Sequence, residues 1–122
     1  MANIAVLGYG TVGSGVVEVL NTNKDRINSK SYEPINIKYV LDLRDFPGDP
    51  VQEIITHDYN DILNDNTIDV VVEVMGGINP AYTFVKQALE SGKSVCTSNK
   101  ELVAAHGGEL MALAKEYNVN FL

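Results

Sequence analysis

The sequence has no tryptophan and a single cysteine, Cys96. One thiol cannot close an internal disulfide, so the disulfide-stapled secreted scaffolds are set aside and a reducing, cytoplasmic setting is expected. Histidine is almost as scarce: His57 and His106 stand far apart and neither has a partner at metal-binding spacing, so no metal is expected. Basic residues are few, 9 Lys and Arg against 16 Asp and Glu, and the formal net charge is −7. That balance is the reverse of the basic footprint that holds a nucleic acid, so any anion must be gripped by local geometry. Nowhere does an apolar run approach the ~18 residues that would cross a bilayer, and Met1 is not followed by the basic and apolar stretches of a secretory leader.

What is present is a chain of 122 residues, 45% hydrophobic and 20% charged, the make-up of one globular domain. Residues 3–8, NIAVLG, are a short apolar run ending at glycine, as a buried parallel strand does. Val12, Val16, Val17 and Leu20 recur at intervals of three and four, which predicts a helix over 11–20 with that face on a sheet. Residues 21–34 read as the helix end and a long polar loop. INIKYVLD, 35–42, alternates like a half-covered strand near a sheet edge, and RDFPGDP is a loop. A short helix is expected over 58–64 with Tyr59, Ile62 and Leu63 inward, then the strongest strand of the chain over 68–75. Asn79 is the expected cap of a helix with Pro80 in its first turn, ending at Ser91-Gly92. SVCTSN is a strand entering a polar corner. Two helices follow, 101–105 stopped by Gly107-Gly108 and 110–117, and NVNFL is a last strand. Strands alternating with helices predict a Rossmann-type three-layer α/β sandwich with a mostly parallel sheet over residues 1–122. A chain stopping on Phe121-Leu122 in a strand pattern is expected to be the first part of a longer protein.

VLGYGTVGSGV, residues 6–16, holds Gly8, Gly10 and Gly13 in the pattern GxGxxG, between the first strand and the first helix. In that setting the first glycine allows the tight turn, the second lets a pyrophosphate approach the backbone, and the third lets helix and strand pack closely. The free amides near Thr11 and Val12, at the positive end of the helix, complete an anion site. Asp42, at the end of the second strand, is the candidate for the adenosine ribose hydroxyls, although it stands well beyond the usual ~20 residues from the glycines. Arg44 is the candidate for a 2′-phosphate, so NAD and NADP both stay open.

The second constellation is Thr97-Ser98-Asn99-Lys100, at the carboxyl end of a strand, the edge where open α/β sheets bind ligands. By chemistry alone Ser98 or Asn99 could cap a helix, Lys100 could be solvated, and Gly76-Gly77 could be an ordinary loop. Together, however, VLGYGTVGSGV, VVEVMGGINPA and GKSVCTSNKELVAAHGGEL resemble the nucleotide-binding domain of homoserine dehydrogenases, which interconvert L-aspartate 4-semialdehyde and L-homoserine. The resemblance implies that Lys100 is catalytic, transferring a proton at the carbonyl and contacting the nicotinamide side. It also implies cofactor contacts at Thr11, Val12, Arg44, Gly76, Gly77, Thr97 and Ser98. It further implies a nicotinamide dinucleotide, NADP or NAD, an amino-acid substrate held by a further substrate-binding and dimerisation region, and a homodimer of the full-length enzyme. LDLRDFPGDP departs from the Val-Arg-Asp pattern of NADP-preferring members. A nucleotide-sensing regulatory module shares the length and glycine loop but needs no lysine after the polar corner, and a methyltransferase would bind S-adenosylmethionine instead. Glu73 is read as a hydrogen-bonded structural carboxylate near the binding edge. His106 is read as a helix C-terminal residue favoured by the dipole, and His57 and Cys96 as structural.

Overall fold

The computed structural model describes residues 2–22 and 35–122. Five strands, β1 (Ala2–Leu7), β2 (Ile35–Leu41), β3 (Ile55–Thr56), β4 (Ile68–Glu73) and β5 (Ser94–Thr97), form one sheet in the order β3-β2-β1-β4-β5. Every pairing is parallel. The helices among the described residues are α1 (Thr11–Thr22), α2 (Tyr59–Leu63), α3 (Ala81–Glu90) and α4 (Lys100–Glu116), and a 3-10 turn covers Pro50–Ile54. The polar loop expected over 21–34 lies outside the described residues, apart from the last turn of α1. Among the described residues no helix is long and apolar enough to cross a membrane.

Side-chain alternation along the strands builds two cores, one per face. Ala5 and Leu7 of β1, Leu41 of β2 and Val71 of β4 face α2, α3 and α4, where they meet Ile62, Val85, Leu89, Leu102 and Leu110. Ile4 and Val6, with Val40, face α1 and the 3-10 turn through Val17 and Val51. Both faces are covered, which is why β1 reads as continuous apolar sequence rather than alternation. Val12 departs from the expectation for α1: it is 54% exposed at the helix start, and the inward positions are Gly13, Val17 and, in part, Val16 and Leu20.

Three other expectations change. The helices predicted over 101–105 and 110–117 are one helix, α4, running straight through Gly107-Gly108. Each glycine costs a helix about 1 kcal/mol, whereas burying Leu102 and Leu110 contributes about 1.5–3 kcal/mol apiece, so packing decides. Asn79 does not cap α3. The helix begins one residue later, after a cis Asn79-Pro80 bond, with Pro80 in the cap position and the Tyr82 amide donating to the Ile78 carbonyl at 2.7 Å. NVNFL contributes a single bridge, Phe121 to Val95, beside β5. The pair Ile55–Thr56 was not expected as a strand, and it extends the sheet beyond β2.

Candidate functional site

The sheet order reverses direction between β1 and β4, and open α/β sheets bind ligands in the crevice that such a reversal leaves at the carboxyl ends of the strands. The glycine corner lies there. Gly8 has φ +105, a conformation closed to ordinary residues, and its amide donates to the Leu41 carbonyl at 2.8 Å, turning the chain across the end of β2. At Gly13 a Cβ would stand 2.0 Å from the Gly8 carbonyl oxygen, so only glycine lets α1 begin this close to β1. At Gly10 a Cβ would meet nothing within 4 Å, which leaves open space over the bend. Thr11 and Val12 open α1, so their amides have no intrahelical acceptor.

A cleft of about 560 Å³ opens beside this corner, with Gly8, Gly10, Leu41, Asp42, Arg44 and Met75 among the residues that line it. Its charged rim is tightly organised. The Asp42 carboxylate accepts from the Tyr9 amide at 3.0 Å and from the Arg44 amide, Nε and Nη2 at 2.9, 3.0 and 3.0 Å. These four donors fill the carboxylate, so in this arrangement Asp42 has no acceptor left for a ribose hydroxyl. The Arg44 hydrogen bonds hold the Asp42 carboxyl down at about 2, and the carboxylate in turn raises Arg44. The Arg44 side chain stays 62% exposed, its guanidinium 5.1 Å from the centre of the Phe46 ring, and Phe46 packs edge-on against Tyr9 at 4.8 Å. The loop after β2 is thereby fastened to the glycine corner.

Sequence reasoning missed the apolar wall of the cleft. Tyr59 and Phe84 stack at 4.2 Å, and the Tyr59 hydroxyl donates to the Phe84 carbonyl at 2.6 Å, burial raising its pKa. His57 stands at the rim, paired with Asp45 at 2.9 Å. The inward reading of Tyr59 located its burial but not the cleft, because Phe84 and Met75 come from elements that only the fold brings together.

The remaining predicted residues form a second group that does not line the cleft. Gly76 and Gly77, both at positive φ, shape the loop after β4, and Thr97 and Ser98 lead from β5 to Lys100, the exposed first residue of α4. Asn99 joins the two loops: its Oδ1 caps α4 by accepting from the Leu102 amide at 3.0 Å, and its Nδ2 donates to the Gly77 carbonyl at 2.5 Å. Glu73 is completely buried, with one oxygen accepting from the Met75 amide at 2.8 Å and the other from the Thr97 hydroxyl at 2.7 Å. It is the hydrogen-bonded carboxylate that the sequence suggested. His106 is not at a helix end: it lies mid-α4, its ring 4.1 Å from Tyr82. Among the described residues no group of His, Cys, Asp or Glu could hold a metal.

A family model for the NAD binding domain of homoserine dehydrogenase matches residues 8–122. The chain belongs to the homoserine dehydrogenase family. A homoserine dehydrogenase of Lactococcus lactis is 40% identical over 123 residues, covering 96% of this chain and 28% of the relative, and that of Bacillus subtilis is 39% identical, covering 93% and 27%. A crystal structure of S. aureus homoserine dehydrogenase superposes with a TM-score of 0.90 at 42% identity, over 98% of this chain and 32% of that one. The chain thus spans little more than a quarter of the curated relatives it matches, the part that carries the NAD-binding domain, for which NAD or NADP is the cofactor.

Proposed function

We propose that this chain is the cofactor-binding part of an NAD(P)-dependent homoserine dehydrogenase, interconverting L-aspartate 4-semialdehyde and L-homoserine in the cytoplasm on the way to threonine, methionine and isoleucine. The observation that carries the reading is the glycine corner. The open space at Gly10 and the unbonded amides at the start of α1 fit a dianionic pyrophosphate on a chain whose overall charge repels anions. Gly8, Gly10, Thr11, Val12 and Gly13 hold that linker, the apolar cleft takes the adenosine, and Gly76, Gly77, Thr97 and Ser98 border the nicotinamide half.

The clamp on Asp42 supports a 2′-phosphate rather than a free ribose hydroxyl. Asp42 orients and charges Arg44, whose exposed guanidinium keeps donors free for a phosphate, whereas NAD would need Arg44 to swing away before Asp42 could accept. A dinucleotide held there would supply hydride chemistry, under which charge would develop on the carbonyl oxygen of the aldehyde. Lys100, on the first turn of α4, stabilises that charge with its ammonium and delivers the proton. The amino-acid substrate and the pairing of two subunits are assigned to the remainder of the full-length enzyme. Titrating the chain with NADPH and NADH, followed by nicotinamide fluorescence, tests the reading. Saturable binding with NADPH tighter is expected, and no binding of either at millimolar concentration would refute it.

A further inference from the structure

Glu73 is the one carboxylate among the described residues with no exposure at all. Taking a carboxyl group out of water carries a desolvation penalty that valine at the end of β4 would not incur. The fold therefore gains nothing from it as packing, and its effect must be sought in what its oxygens hold. Each holds a different loop. Oε2 fixes the Met75 amide, and Met75 abuts the glycine corner, its Cγ 3.1 Å from where a Cβ on Gly8 would lie. Oε1 accepts a hydrogen bond from the Thr97 hydroxyl, whose oxygen is then turned to accept from the Asn99 amide at 3.0 Å. Asn99 caps α4 and reaches back to the Gly77 carbonyl, closing a ring that runs from Glu73 through Thr97, Asn99 and the Gly76–Gly77 loop. The register of the sheet makes this possible, since Glu73 lies directly opposite Thr97 on β5 and Leu7 on β1.

We propose that Glu73 is a positioning residue for the reaction, acting through Thr97 and Asn99 to set the first turn of α4, and with it Lys100, against the loop that borders the nicotinamide half of the site. The proposal rests on the reading of Lys100 given above. The ring has a definite polarity. Glutamine at 73 keeps one acceptor but turns the other into a donor facing either the Met75 amide or the Thr97 hydroxyl. Where the new donor faces the hydroxyl, the hydroxyl loses the acceptor for its own proton and must turn, using its second lone pair for glutamine, which shifts its oxygen from the Asn99 amide and loosens the start of α4.

The test uses the full-length enzyme with five variants: Glu73→Gln, Thr97→Val, Thr97→Ser, the double Glu73→Gln/Thr97→Val, and Lys100→Ala. Turnover, KM for both substrates, dinucleotide Kd and thermal midpoint are measured for each. Glu73→Gln and Thr97→Val should each lower kcat at least tenfold in folded enzyme, a larger factor than any rise in dinucleotide Kd, because none of the ring's hydrogen bonds is made to the Gly8–Gly13 bend. Thr97→Ser, which keeps the hydroxyl, should recover to within about threefold of the parent. The double variant should be no slower than the slower single, since both break one ring. A purely structural role would lower the thermal midpoint and leave kcat of the folded fraction intact, and that result overturns the proposal. So do single-variant losses that multiply in the double variant. Should Glu73→Gln not fold, the Thr97→Val and Thr97→Ser pair decides alone. Normal turnover in Lys100→Ala would overturn the catalytic reading and this proposal together, whereas an inactive Lys100→Ala beside a fully active Glu73→Gln would overturn this proposal only.

Discussion

Three glycines of the first corner, replaced one at a time by alanine, should separate folding from binding. At Gly13 the new Cβ would stand 2.0 Å from the Gly8 carbonyl oxygen and 2.8 Å from its carbon. Carbon contacts settle near 3.5 Å, so α1 would have to withdraw from β1 by about 1.5 Å, and the obstacle is backbone that no rotamer change can remove. Overpacking of this kind costs about 3 kcal/mol or more, which at roughly 4 °C per kcal/mol lowers the thermal midpoint by more than ~10 °C. At Gly10 nothing lies within 4 Å and φ is not positive, so alanine should leave stability within ~0.5 kcal/mol of the parent. Its methyl would project into the space assigned to the pyrophosphate, and dinucleotide affinity should fall at least ~10-fold, about 1.4 kcal/mol. At Gly15, inside α1 and equally open, alanine should stabilise by about 0.5–1 kcal/mol and leave affinity unchanged. Melting is followed by circular dichroism, since the chain has no tryptophan, and binding by nicotinamide fluorescence. A Gly13→Ala variant as stable as the parent would refute the close packing of α1 on β1. A Gly10→Ala variant with parental affinity would refute the placement of the pyrophosphate.

Replacing Arg44 with alanine should weaken NADPH binding at least ~10-fold and NADH binding far less, a loss of preference read directly from parallel titrations. The same change has a pH signature. The Asp42 carboxyl is held at about 2 against an ordinary 3.8, so the stability it contributes is complete above about pH 4 and lost as pH falls from there towards 2. Urea midpoints of parent and Arg44→Ala should therefore differ most above pH 4 and converge near pH 2, and a gap independent of pH would contradict the clamp. Tyr59→Phe removes from the Phe84 carbonyl the hydroxyl that bonds it beside its helical amide partner and should cost about 1 kcal/mol in urea unfolding; no loss would show that this hydrogen bond contributes nothing net to the cleft wall. Gly108→Ala, in open space within α4, should stabilise by up to ~1 kcal/mol, whereas a true helix break at this position would make alanine neutral or harmful.

The parts of the site visible in the sequence are those where one local geometry admits few residues. The bend at Gly8 needs a positive φ, and the start of α1 needs a residue without a side chain at Gly13, so their spacing after an apolar run carries the corner in the letters themselves. The same holds for β4, whose apolar run follows from coverage on both faces. What sequence reading misplaced depends on partners far along the chain. A glycine pair ends an isolated helix, but α4 crosses Gly107-Gly108 because Leu102, Leu110 and Ala114 are buried on that side of the sheet, and no local pattern reports it. β3 is two residues long, too short for periodicity, and exists only because Val40 and Leu41 offer it an edge.

Asp42 shows the same limit in the chemistry. Its position at the end of β2 marked it as a ribose ligand, and position is all that a sequence contains. Two residues later the chain supplies a guanidinium, and the turn closes Arg44 back onto the carboxylate through three of its nitrogens. On the function proposed above, the acidic residue is then the support and Arg44 the contact that it aims. A sequence can list both members of such a pair, but only the backbone path between them determines whether they compete for the cofactor or act on it as a unit. In this chain the loop after β2, fastened by Phe46 on Tyr9, holds carboxylate and guanidinium together.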